Sequence, residues 1–151
     1  MEREIVLLAH NIRSLWNVGS LFRTCDAFGV KKLCLTGYTA TPPRREISKT
    51  ALGSEEYVAW EYHRDSLNVI NELRNGGYTI VALEQTDDAQ TLSQFDAHEK
   101  MCLVVGHEVT GVPKEILELC DAKVQIPMKG KKESLNVAVA AGVAMYSLTI
   151  T

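Results

Sequence analysis

Three groups of polar residues stand out because their types and spacing could perform chemistry. Asn11, Arg13, Asn17 and Arg23 share a segment that also carries Gly19. Glu108 lies between Gly106 and Gly111, next to His107. Ser134 and Asn136 follow a lysine-rich stretch with Lys129, Lys131 and Lys132 around Gly130. A carboxylate between two glycines can orient a polar partner while the backbone approaches a ligand closely. An arginine on an otherwise apolar helix pairs with a carboxylate such as Asp26 or holds a phosphate, and local sequence leaves both open. Asn17 near a helix start could equally satisfy free backbone amides. His107 has no second histidine at ligand spacing, so it is assigned a positional role, and no metal is expected.

Strands and helices must position these groups. Apolar runs at 4–9, 32–36, 57–62, 79–83, 101–105 and 123–126 read as strands. Between them lie helical patterns at 18–28, at 66–75 behind the cap Asp65 and before Gly76-Gly77, and after Pro113. A final alanine- and valine-rich helix is expected to start at Ser134, with Ser134 as its cap. Strand–helix alternation predicts an α/β fold with a mostly parallel sheet flanked by helices. Residues 37–49, with Pro42-Pro43, read as the longest irregular loop. In such sheets ligands bind beyond the carboxyl ends of the strands. That rule singles out residues 10–19, 84–86, 106–111 and 126–136.

Composition narrows the function classes. The 151 residues are 46% hydrophobic and 23% charged, ordinary for one globular domain spanning 1–151. No apolar run is long enough to cross a bilayer and no basic leader opens the sequence, so a cytoplasmic location is expected. The four cysteines form no CxxC pair, which argues for buried thiols rather than zinc ligands. A net charge of −3 argues against coating nucleic acid by charge alone but permits local basic patches, of which Arg44, Arg45 and Lys49 form one.

The order NxRxxxNxGxxxR from Asn11, GxExxG from Gly106 and IPMxGxxxSLNVxVA from Ile126 resembles the SpoU (TrmH-like) family of SPOUT RNA methyltransferases. The three motifs span nearly the whole chain. The resemblance implies a C-terminal trefoil knot, which no hydrophobic pattern would suggest. It also implies a homodimer with the active site completed across the interface, and S-adenosylmethionine as cofactor. By motif matching, the cofactor site draws on Leu83, Glu84, Gly106, Ile126, Met128, Ser134 and Leu135. The implied reaction is methyl transfer to a ribose 2′-hydroxyl of tRNA or rRNA, with Arg23, Asn17, Glu108, Ser134 and Asn136 as the catalytic set. An arginine is protonated at ordinary pH, so phosphate binding and alkoxide stabilisation suit Arg23 better than proton abstraction. Larger members of the family carry an added RNA-binding domain and none is expected here, so RNA contacts are assigned to Arg13, Arg44, Arg45, Lys49, Lys129, Lys131 and Lys132, or to a partner protein. His107 stands where asparagine is common in the family. Other readings are a SPOUT-fold RNA- or cofactor-binding protein without catalysis, and a base-methylating SPOUT enzyme. A nucleotide-binding oxidoreductase is disfavoured, because no GxGxxG follows the first strand.

Overall fold

The computed structural model describes residues 2–150. Seven strands make one all-parallel sheet, in the order β3-β2-β1-β6-β4-β7-β5. They are β1 (Glu4–His10), β2 (Lys32–Thr36), β3 (Trp60–His63), β4 (Thr79–Leu83), β5 (Gln90–Thr91), β6 (Lys100–Val105) and β7 (Ala122–Gln125). Five α-helices join them: α1 (Leu15–Ala27), α2 (Arg45–Ala51), α3 (Ser66–Asn75), α4 (Lys114–Leu117) and α5 (Val137–Thr149). The expected α/β fold with a parallel sheet is therefore present. No helix among the described residues is long and apolar enough to cross a membrane.

Strands covered on both faces need apolar side chains on both, which is why EIVLLA and CLVV run without alternation. Ile5, Leu7, Ala9, Leu33, Leu103 and Val105 face a core shared with α1, α2 and α5. Val6, Leu8, Cys34, Cys102 and Val104 point the other way, against Val69 and Ile70 of α3 and Ile116 of α4. Cys25, Cys34 and Cys102 are free and buried, as expected, and burial raises each thiol pKa.

Several boundaries differ from the sequence reading, each for a local reason. Helix α1 starts at Leu15 rather than Val18, because the Ser14 side chain accepts from the Asn17 backbone N–H. Ser134 does not cap the last helix. The Asn136 side chain does, accepting from Ala138 N at 2.9 Å and Val139 N at 3.2 Å. Residues 45–51 are helix α2, not loop; Ile47 and Ala51, one turn apart, are its buried face. Strand β3 starts at Trp60, since Ser54–Glu56 form a 3₁₀ turn that leaves Tyr57 exposed. The two-residue strand β5, absent from the reading, is held by Gln125, whose side chain donates to the Ala89 carbonyl.

Candidate functional site

The carboxyl ends of β4, β6 and β7 open onto one cavity of about 430 Å³. Three loops build its wall: the one after β4 with Glu84, the one after β6 with residues 106–112, and residues 126–136 on their way from β7 to α5. All seven positions assigned to the cofactor (Leu83, Glu84, Gly106, Ile126, Met128, Ser134 and Leu135) line it. Sequence reasoning missed Val105, Val112, Leu117, Gln125, Val137 and Ala140. Small residues early in α5 are the signal that could have exposed the last two, since they leave room beside the pocket.

Local backbone demands explain the glycines of this wall. Gly111 sits at φ +74°, and a β-carbon there would overlap the Glu84 carboxylate. A β-carbon on Gly106 would overlap the Gly111 carbonyl, so the turn closes only without side chains at both positions. Glu84 pins this turn by accepting from Val112 N at 2.7 Å. His107 organises it from the other side: its Nδ1 accepts from Val109 N at 3.0 Å and Thr110 N at 3.1 Å. With Nδ1 as the acceptor, the ring N–H lies on Nε2, an arrangement that fits the positional role.

Glu108 reaches away from the turn to the first motif. Oε1 accepts from Arg13 N, while Oε2 accepts from Ser14 N and from Asn17 Nδ2, all at 2.9 Å. Burial pushes the Glu108 carboxyl pKa up, but these donors more than offset it and hold it below its ordinary value. Asn17 is thus not a helix cap. Its amide donates to Glu108 and its carbonyl accepts from Asn136 Nδ2 at 3.1 Å. Residues from all three motifs form one hydrogen-bonded chain, in which Asn17 and Asn136 lie 119 positions apart. Ser134 stands at the cavity wall beside this chain rather than within it.

Arg23 stands apart. It is exposed, does not line the cavity, and makes no ion pair with Asp26 or any other carboxylate among the described residues. The basic residues assigned to RNA are all exposed too. Arg13 is at the Glu108 tether, and Lys129, Lys131 and Lys132 lie on the loop between Met128 and Ser134, which line the cavity. Arg44, Arg45 and Lys49 sit on or beside α2, with the Lys49 ammonium 5.9 Å from the centre of the Trp16 ring.

Comparisons with known proteins converge on one family. Residues 4–146 match the model of the SpoU rRNA Methylase family. A tRNA (guanosine(18)-2′-O)-methyltransferase of Aquifex aeolicus is 34% identical over 146 residues, covering 96% of this chain and 68% of that protein. The crystal structure of an AdoMet-bound rRNA methyltransferase from Sinorhizobium meliloti superposes with a TM-score of 0.90 at 26% identity, covering 98% of this chain and 56% of that one. A structure described by the 2-OH methylation of C/U34 on tRNA matches at TM-score 0.85 and 26% identity, over 97% of this chain and 94% of that one. The extent of these matches, together with three motifs joined in one hydrogen-bonded chain, makes this protein a member of the SpoU methylase family.

Proposed function

We propose that this protein is an S-adenosylmethionine-dependent RNA methyltransferase that modifies a ribose 2′-hydroxyl of tRNA. The single observation that carries the reading is the cavity at the ends of β4, β6 and β7, where all seven motif-matched cofactor positions meet. Its volume lies within the roughly 300–1,000 Å³ usual for small-molecule sites. Its wall combines apolar side chains from Leu83, Ile126 and Leu135 with backbone polar groups of tight loops. Such a wall suits an adenine face and a ribose edge. When bound, the cofactor supplies an electrophilic methyl group on a sulfonium.

This chain's residues supply the rest. Glu108 and Asn17 fix the first motif against the second, and Asn136 extends that order to the start of α5. The target hydroxyl would lose its proton to solvent water as the new O–C bond forms, with S-adenosylhomocysteine as the leaving group. Arg23 holds the neighbouring phosphate and stabilises the developing alkoxide. Because Arg23 lies outside the cavity of its own chain, it serves the site of a second copy. A homodimer is supported by α5, where Val139, Val143 and Tyr146 are exposed at spacings of four and three. The passage of residues 126–136 beside the loops after β4 and β6 agrees with the family's trefoil knot. A tRNA substrate is supported by the names of the Aquifex relative and of the C/U34 structure, and a cytoplasmic location fits that substrate.

Mass spectrometry of tRNA nucleosides from a strain lacking the gene should show the loss of one 2′-O-methyl nucleoside, with guanosine 18 and position 34 the first to inspect. An unchanged nucleoside profile, or loss of a base methylation instead, overturns the reading. Arg23→Ala should cut turnover about 100-fold or more while calorimetry shows S-adenosylmethionine still bound. Near-normal methylation by that variant removes Arg23 from the reaction.

A further inference from the structure

A second concavity lies beside the first and belongs to none of the three motifs. It is an open groove of about 530 Å³ between the segment after β2 and the edge strand β3, walled by Tyr38, Pro42, Pro43, Arg44, Trp60 and Tyr62. Tyr38 and Tyr62 are 60% and 43% exposed, a costly display of aromatic surface unless a ligand covers it. Trp60 is anchored from behind by an edge-on contact with Phe22, ring centres 6.2 Å apart. The Tyr62 hydroxyl donates to the Gly37 carbonyl and clips the edge strand to the loop. Thr39, which is buried, donates to the Thr36 carbonyl at 2.8 Å and accepts from Ile12 N at 3.0 Å. The aromatic walls are therefore held in place rather than splayed on a loose loop.

The groove is joined to the cofactor cavity. Tyr38 meets the His107 ring edge-on with centres 6.4 Å apart, and His107 lines that cavity. Tyr38 N donates to Asn11 Oδ1 at 3.0 Å, two residues before the Arg13 backbone that Glu108 grips. At the other end of the groove Arg44 is exposed, and its 3.8 Å pair with Glu46 is loose enough to leave guanidinium donors free. Arg45 and Lys49 continue the positive charge along α2.

We infer that this groove is a nucleobase subsite, in which a base of the RNA next to the target ribose stacks on Tyr38 and Tyr62 while Arg44 holds its phosphate. The inference rests on the proposed RNA methyltransferase activity. Flat aromatic walls flanked by cations are what a splayed, unpaired nucleotide needs, because every base offers a π-face and every linkage a negative charge. A folded peptide would gain little from a groove whose one charged end is basic and whose floor is proline and aromatic rings. Stacking is tolerant of base identity, so the groove positions the strand and leaves the choice of target to other contacts.

The test is steady-state methyl transfer from S-adenosylmethionine to unfractionated tRNA by the wild type, Tyr38→Ala, Tyr38→Phe and Arg44→Ala. Loss of one stacked base should raise KM for tRNA roughly 5- to 150-fold in Tyr38→Ala, and Tyr38→Phe should restore it. Arg44→Ala should raise KM and flatten its dependence on salt. An unchanged KM in Tyr38→Ala, or a loss confined to S-adenosylhomocysteine affinity, overturns the subsite and leaves Tyr38 as a prop for His107. If the wild type transfers no methyl to tRNA, the broader reading fails, and a direct arm still decides the groove. Trp60 fluorescence in a Trp16→Phe chain is titrated with the tetranucleotides AAAA, CCCC and UUUU. Quenching that Tyr38→Ala abolishes supports the groove as a base site; no quenching by any of them overturns it.

Discussion

Glu108 satisfies three donors with two oxygens, and Oε2 alone serves both Ser14 N and Asn17 Nδ2. Glu108→Gln keeps the shape but replaces one acceptor oxygen with an NH₂ group, so at least one of those donors loses its partner. A charge-assisted bond of this kind is worth about 1 kcal/mol once solvent screening is allowed for. Thermal unfolding of Glu108→Gln at neutral pH should therefore begin roughly 2–4 °C lower than in the wild type. The sign of the pH effect follows from the lowered carboxyl pKa. A depressed folded-state value adds stability that is present above the unfolded pKa of about 4.3 and is lost as pH falls through the folded value. Melting curves from pH 7 to pH 3 should thus converge for the two proteins at the acid end; parallel curves would mean that Glu108 is not a buttress. At this scale Glu108 and Gly111 were legible from residue type and spacing. The partner of Asn17 was not, because a helix-cap position and a tether 91 residues away look alike in one dimension.

Elements carry the next set of consequences. Asn136 caps α5 and touches Asn17, so Asn136→Ala removes two capping bonds and one cross-motif bond. The cap alone is worth about 1 kcal/mol; the variant should melt lower and, unlike a surface cap mutant, also lose methyl-transfer activity. Equal loss of stability without loss of activity would confine Asn136 to the helix. Gly111→Ala strains a left-handed residue and drives a methyl group into the Glu84 carboxylate. Calorimetry should show S-adenosylhomocysteine binding weakened about tenfold or more, while unchanged affinity would place the cofactor elsewhere. Strands were readable because continuous apolar runs have few alternatives in so short a span. Helix α2 was not, since only Ile47 and Ala51 are buried and Pro42-Pro43 beside them signals a turn. Its cap at Leu52 is left-handed, φ +53°, an unusual place for a leucine, and Gly53 follows it at φ +90°.

At the scale of the whole molecule, what distinguishes the chain is the apolar side of α5 that its own sheet does not cover. Val139, Val143 and Tyr146 are about half exposed, while Ala141, Ala144, Met145 and Leu148 are buried against the sheet. A helix apolar all round needs a second surface to pack on. Val143→Glu would place a charge in that contact, and sedimentation should find a monomer with methyl transfer lost. A dimer that survives the substitution moves the interface off α5. The alanine-rich sequence of α5 already required close neighbours on several sides. Which side met the sheet and which met another surface became visible only once the strand order was known.

The bond between Asn17 and Asn136 also bears on time. Each link that shapes the site, from Asn17 to Glu108 and from Asn17 to Asn136, joins residues far apart along the chain. Contacts of such long range form late and slowly, because each must close a large loop before it is rewarded. A nascent chain still lacking α5 can pair β1, β2 and β6 yet has no ordered pocket edge for a ligand to bind. Recovery of cofactor binding after dilution from denaturant should consequently trail the recovery of helical signal, with the enzyme silent until its final helix has docked.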